Sequence, residues 1–236
     1  MSRSARAFVV VTCEHGGNRI PSDCADLFRG WKRVLASHRG HDPGALLMAR
    51  QLAAALHAPL VAATISRLVV DLNRSLSNRN VWSGATRRLP AAAKARIAER
   101  HYMPYRSQVD ALVEGAVAAG HRVIHLSSHS FTPVLDGEVR NADVGLLYDP
   151  VRSGEVALAS CWKAALAEVS PGLRVRRNYP YAGKNDGLTA SLRRRFPASR
   201  YVGIEIEVNQ AIVLGATRPW QRLRRAVVTS LQAVLD

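Results

Sequence analysis

The segment Ala7 to Thr12 (AFVVVT) is apolar and β-branched with no polar alternation, the pattern of a strand buried on both faces of a parallel sheet. A fold built on such a strand must cover both of its sides, and the segments downstream have the right form for it. Gly44 to His57 carries apolar residues at 45, 46, 49, 52, 53 and 56, a helical period. Leu60 to Ile65 and Leu68 to Leu72 read as strands, and Pro90 opens an Ala-rich helical stretch to about Ala119, with Gly120 as its stop. Arg122 to Ser127, Asp143 to Tyr148, Leu173 to Arg177 and Tyr201 to Glu207 read as further strands. Val151 to Val169, Asp186 to Arg195 and Pro219 to Leu235 read as helices. Strands alternating with helices predict an α/β fold of three layers, α/β/α, around a mixed central sheet. The loops at 13 to 43, 73 to 89, 130 to 142 and 178 to 186 are longer or more polar than simple connections need. In such sheets ligands bind beyond the carboxyl ends of the strands, so these loops are candidate site walls.

With 236 residues, 47% of them apolar, the chain is predicted to form one domain over residues 1–236 without disulfide staples. Its three cysteines (Cys13, Cys24, Cys161) show no C-x-x-C spacing, which argues against a disulfide framework or a zinc knuckle. Cys13 reads as a small apolar residue at a strand end. The basic N-terminus is followed by too short an apolar run for a signal peptide, and no window is long and apolar enough for a membrane span. The expectation is a cytoplasmic protein without a membrane partner. The excess of 33 basic over 18 acidic residues gives +15, but the arginines are scattered on what read as solvated helix faces. No nucleic-acid motif accompanies them, and 6% aromatic residues make a poor base-stacking platform. Nucleic acid is therefore not the expected partner.

The residues able to carry chemistry fall at strand ends. His15, in Glu14-His15-Gly16-Gly17-Asn18, follows the first strand; His129, in Ser127-Ser128-His129-Ser130-Phe131, follows a later one. A catalytic zinc takes about three protein ligands and leaves a position open, and two such histidines supply most of that set. Glycines after His15 would let backbone approach a ligand closely. For the third ligand, Asp42 and Asn18 are both available; the carboxylate is the better donor, although spacing alone favours Asp42 as the cap of the helix that begins near Gly44. Glu205 and Glu207 share one face of a strand, a costly arrangement for two carboxylates unless they have partners or work. Glu205 suits the general base of metal-assisted amide hydrolysis, and Glu207 could pair with an Arg. In Ser66-Arg67-Leu68-Val69-Val70-Asp71-Leu72-Asn73-Arg74, the Asn-Arg pair is a fork of donors suited to a carboxylate, or else an Arg pairing with Asp71.

Taken in order, EHGGNRIP (14 to 21), HDPGALLMARQLA (41 to 53), SRLVVDLNRS (66 to 75), HSFTPVLDG (129 to 137), NADVGLLYD (141 to 149), NYPYAG (178 to 183) and GIEI (203 to 206) resemble the N-formylglutamate amidohydrolase family over nearly the whole chain. The resemblance implies a zinc-peptidase-like fold related to carboxypeptidases and succinylglutamate desuccinylases. It implies one zinc ion on His15, Asp42 and His129, Glu205 as the catalytic base, and a substrate-binding set of Arg67, Asn73, Arg74 and Ser130. Carboxypeptidase-like relatives carry His-x-x-Glu where this chain has His15-Gly-Gly-Asn18, so the missing carboxylate is assigned to Asp42. The implied activity is zinc-dependent cleavage of the amide bond of a small anionic N-acyl amino acid such as N-formylglutamate. The alternatives are a zinc deacylase or carboxypeptidase with another N-acyl or peptide substrate, and a basic nucleic-acid-binding protein that keeps the fold without the activity. The acyl group and the oligomeric state stay open.

Overall fold

The computed structural model describes residues 7–236. In chain order the strands are β1 (Phe8–Cys13), β2 (Leu60–Ala62), β3 (Val123–Phe131), β4 (Val134–Leu135), β5 (Glu138–Val139), β6 (Val144–Leu147), β7 (Val175–Arg177) and β8 (Tyr201–Asn209). The α-helices are α1 (Lys32–Leu35), α2 (Ala45–Ala55), α3 (Ala91–Ile97), α4 (Met103–Ala118), α5 (Ser153–Val169), α6 (Leu188–Arg195), α7 (Gln210–Val213) and α8 (Thr217–Leu235). A 3-10 turn covers Ser22–Phe28, and a π-helical segment, Ala98–Tyr102, joins α3 to α4.

Six strands form one sheet in the order β2-β1-β3-β8-β6-β7. Every neighbouring pair is parallel except β6 with β8, so the sheet is mixed, as predicted. Alternation along the strands builds two cores. On one face Val11, Leu126 and Ile204 meet Met48 and Leu52 of α2, Trp162 and Leu166 of α5, and Leu223 and Val227 of α8. On the other, Val10, Val123 and Tyr201 meet Val109 and Val113 of α4 with Leu188 and Leu192 of α6. Each fully buried aliphatic side chain contributes about 1.5–3 kcal/mol, so both layers are tied firmly to the sheet.

Two predicted strands come out differently. Leu68 to Leu72 is a series of turns whose apolar side chains are nevertheless buried. The strand expected at Arg122 to Ser127 runs on to Phe131, so His129 and Ser130 lie within β3 rather than after it. The polar Ser127, Ser128, His129 and Ser130 are all buried there and bonded to neighbours, which lets a polar run continue a central strand.

Candidate active site

One face of the sheet changes character along its length. The α4-facing positions of the three central strands are apolar at the start, with Val10, Val123 and Tyr201. Toward the carboxyl end the same face carries Thr12, then Ser127 and His129, then Glu205 and Glu207. The register pairs Thr12 with Ser127, Ser127 with Glu205, and His129 with Glu207. A cavity of about 450 Å³ opens over this polar end, its lining including His15, Asp42, His129, Arg74, Glu205 and Glu207.

His15 leaves β1, and the loop after it is pressed onto the neighbouring backbone. A Cβ on Gly16 would stand 2.8 Å from the Ala63 carbonyl, and one on Gly17 only 2.5 Å from that of Thr64. The lack of a side chain on these glycines lets the two stretches of backbone pack this closely. The turn that carries Asp42 is pinned to His15 by a backbone hydrogen bond from Asp42 N–H to the His15 carbonyl, 2.9 Å. Asp42 does not cap α2: Gly44, at φ 78°, is the capping residue, and the carboxylate points into the site.

Oδ2 of Asp42 lies 2.9 Å from Nδ1 of His129 and 3.3 Å from Nδ1 of His15, and all three side chains are buried. With ligand bonds of about 2.0 Å, tetrahedral donors stand about 3.3 Å apart, so the three side chains have the donor chemistry and spacing to hold a metal ion. Asn18 is elsewhere, exposed and donating to the Leu35 carbonyl. Each histidine turns its other nitrogen to a buried carboxylate: His15 Nε2 is 2.7 Å from Asp71 Oδ1, and His129 Nε2 is 3.0 Å from Glu14 Oε2. Burial alone would raise the Asp42 carboxyl, but His15, His129 and Arg67 outweigh it and hold it well below the usual range. Burial alone would lower His129, but Asp42 and Glu14 push it well above the ordinary histidine value. Surroundings that so favour a proton favour any cation placed between these groups.

The two strand glutamates differ. Glu205 accepts a hydrogen bond from Thr189 Oγ1 at 2.5 Å. Glu207 finds no Arg: among the described residues its buried Oε2 has no hydrogen-bond partner. Burial pushes its carboxyl up to about 8, with Asp42 and Glu205 adding to the rise and His129 opposing it. Arg67 is braced between carboxylates, 2.7 Å from Asp71 and 3.4 Å from Asp42. Arg74 is looser, 3.5 Å from Asp71 with a third of its side chain exposed. Asn73 Oδ1 accepts from Leu188 N–H at 2.7 Å, and its Nδ2 lies 3.4 Å from His129 Nε2. Ser130 Oγ accepts from Gln210 at 3.1 Å. Burial, reinforced by the negative charge of Glu14, raises the Cys13 thiol well above its usual range, so it is no nucleophile.

Sequence reasoning did not foresee the contacts of Glu14 and Asp71 with the two histidines, or that Glu207 is buried without an Arg partner among the described residues. Asp71 reads from sequence as a partner for an Arg, and nothing in local spacing tells that it also reaches His15. The signal for Glu14 was its alternation with Thr12 and Val10, which puts it on the face shared with His129.

A mixed α/β sheet with a His-Asp-His cluster and paired carboxylates under an open cavity has the makings of a hydrolytic site. The model of the N-formylglutamate amidohydrolase family matches residues 7–214, and the chain belongs to that family; it is a hydrolase that acts on amides. A crystal structure of a gene product from Agrobacterium tumefaciens is 30% identical and superposes with a TM-score of 0.80, covering 99% of this chain and 94% of that one. N-formylglutamate amidohydrolase from Ralstonia eutropha is 21% identical, with a TM-score of 0.71 over 98% of this chain and 94% of its own. No curated protein sequence matches the chain. Among the described residues no helix is long and apolar enough to cross a membrane.

Proposed function

We propose that the chain is a zinc-dependent amidohydrolase for a small anionic N-acyl amino acid, N-formylglutamate being the first substrate to test. The observation that carries this reading is the convergence of Nδ1 of His15, Nδ1 of His129 and Oδ2 of Asp42. When bound there, a divalent cation would supply Lewis-acid polarisation of the acyl carbonyl and activation of water. The base is better assigned to Glu207 than to Glu205. Glu207 lines the cavity at the register position of His129 and has a buried oxygen without a partner among the described residues, and its raised pKa suits a group that takes a proton from water and returns it to the leaving amine near neutral pH. Arg74, the least committed of the predicted substrate residues, with Asn73 beside it, would hold the substrate carboxylate. Arg67 would serve by bracing Asp42 and Asp71. The free thiols of Cys13, Cys24 and Cys161 are in keeping with a reducing, cytoplasmic compartment.

The test is metal analysis of never-chelated protein, followed by hydrolysis of formyl-, acetyl- and succinyl-amino acids. About one zinc per chain and turnover of an acidic formyl-amino acid are expected. Protein that neither carries nor responds to a divalent metal would sink the reading, and turnover confined to acetyl or succinyl substrates would move it to a related deacylase.

A further inference from the structure

Glu14 is wholly buried at the end of β1, and every group around it donates to it. Tyr105, from α4, donates its hydroxyl to Oε1 at 2.8 Å. Ser127, from β3, donates to Oε2 at 2.6 Å, and His129 Nε2 stands 3.0 Å from the same oxygen. A buried carboxylate costs several kcal/mol unless its lone pairs are filled, so a cage this complete is either a structural plug or a device that acts on something. The hydrogen positions decide which. The Ser127 hydroxyl proton goes to Glu14, which leaves Ser127 Oγ, 2.9 Å from His129 Nε2, as an acceptor. An ionised carboxylate has no proton to give. His129 Nε2 therefore carries a proton toward Oγ and Oε2, and Nδ1, the nitrogen that faces Asp42, is the one that gives up its proton when a cation takes that place.

We infer that Glu14 is a positioning residue that locks His129 in the Nε2–H tautomer and so selects Nδ1 as the nitrogen offered to a cation, with Tyr105 and Ser127 holding Glu14 in place. The inference rests on the proposed metal site. It differs from a plug role because it ties Glu14 to metal affinity and to a tautomer, neither of which a filler of space would set. Outer carboxylates of this kind typically change metal affinity about ten- to a hundredfold.

The test compares wild type with Glu14→Gln, a near-isosteric change that removes the charge. Zinc dissociation constants are measured by competition with a chromophoric chelator, alongside thermal unfolding of each protein. Zinc binding about ten- to a hundredfold weaker in a variant that remains folded is the expected result. A folded Glu14→Gln protein with wild-type zinc affinity would overturn the inference while leaving the metal site standing. Wild type that binds no zinc would overturn the metal reading and this inference with it. Should the variant fail to fold, nitrogen NMR of histidine-labelled wild type loaded with cadmium-113 decides. One-bond coupling of cadmium to His129 Nδ1, with the proton on Nε2, is expected, and coupling to Nε2 refutes the assignment.

Discussion

At the scale of single residues, Glu205 and Glu207 show how two identical side chains two positions apart come to sit in different surroundings. Strand alternation in the sequence puts both on one face, and both line the cavity. Only their partners separate them: Glu205 is engaged by Thr189, while Glu207 has a buried oxygen with no partner among the described residues and a carboxyl raised to about 8. Glu207→Gln should keep its zinc and lose turnover by about 10²–10⁴-fold, the usual contribution of a positioned acid–base group. Glu205→Gln should lose about tenfold or less. Steady-state hydrolysis at measured metal content checks both, and the reverse order would return the base to Glu205. Sequence alone could not make this choice, because Thr189 is sixteen positions from Glu205 and belongs to a different element. His15, Asp42 and His129 were legible because each sits in a short polar motif beside an apolar strand or helix. Their carboxylate partners were not, since Asp71 and Glu14 are joined to the histidines by tertiary geometry alone.

At the scale of elements, the runs of β1, β3 and β8 announce the centre of the sheet, and the 3.6-residue period announces α2. The segment Leu68 to Leu72 misleads because its buried aliphatics mimic a strand, whereas the chain must turn there to carry Asp71 to His15. The arginine run 193 to 195 reads as a solvated face, yet Arg193 is buried, 2.9 Å from Glu155 and donating to the Gly203 carbonyl. A charge run hides which of its members has a buried partner. The turn before α2 is set by Gly44, whose φ of 78° disfavours a side chain. A Cβ there would stand 2.5 Å from Val213 Cγ1 and 3.1 Å from Trp220 Cζ2. Gly44→Ala should destabilise the protein by about 1–3 kcal/mol through backbone strain and overpacking. It should also weaken zinc binding, because Asp42 rides on the same turn. A urea midpoint and zinc affinity both unchanged would show that the turn tolerates the side chain and does not place Asp42.

At the scale of the whole molecule, the net charge of +15 says little about the site, whose floor is carboxylate and imidazole. The balance that matters is which buried groups prefer to be neutral. His125 lies beneath the site, bonded to Thr12 Oγ1 at 2.8 Å and Tyr201 Oη at 2.7 Å. Burial first, then the positive charges of Arg193, Arg106 and His129, outweigh the pull of Glu14 and lower its pKa to about 4. Because that value lies below the unfolded pKa of about 6.5, the unfolded chain takes up the proton first as pH falls. Stability from His125 is thus complete above about pH 6.5 and is lost progressively down to about pH 4, on the order of 3 kcal/mol in all. Glu207 runs the other way, since its raised carboxyl makes the fold bind a proton before the unfolded chain does, and stability rises as pH falls from about 8 toward the ordinary Glu value of about 4.3. His129, raised, has its contribution fully in place below about 6.5 and is flat from there down, losing it only as pH rises above that value. The opposed slopes make wild type alone a poor witness. Urea-derived stabilities of wild type and His125→Gln at matched metal content remove the shared part: the wild-type advantage should shrink by on the order of 3 kcal/mol from pH 6.5 to 4. A difference constant across that range would mean that His125 takes up its proton in the fold as readily as in the open chain.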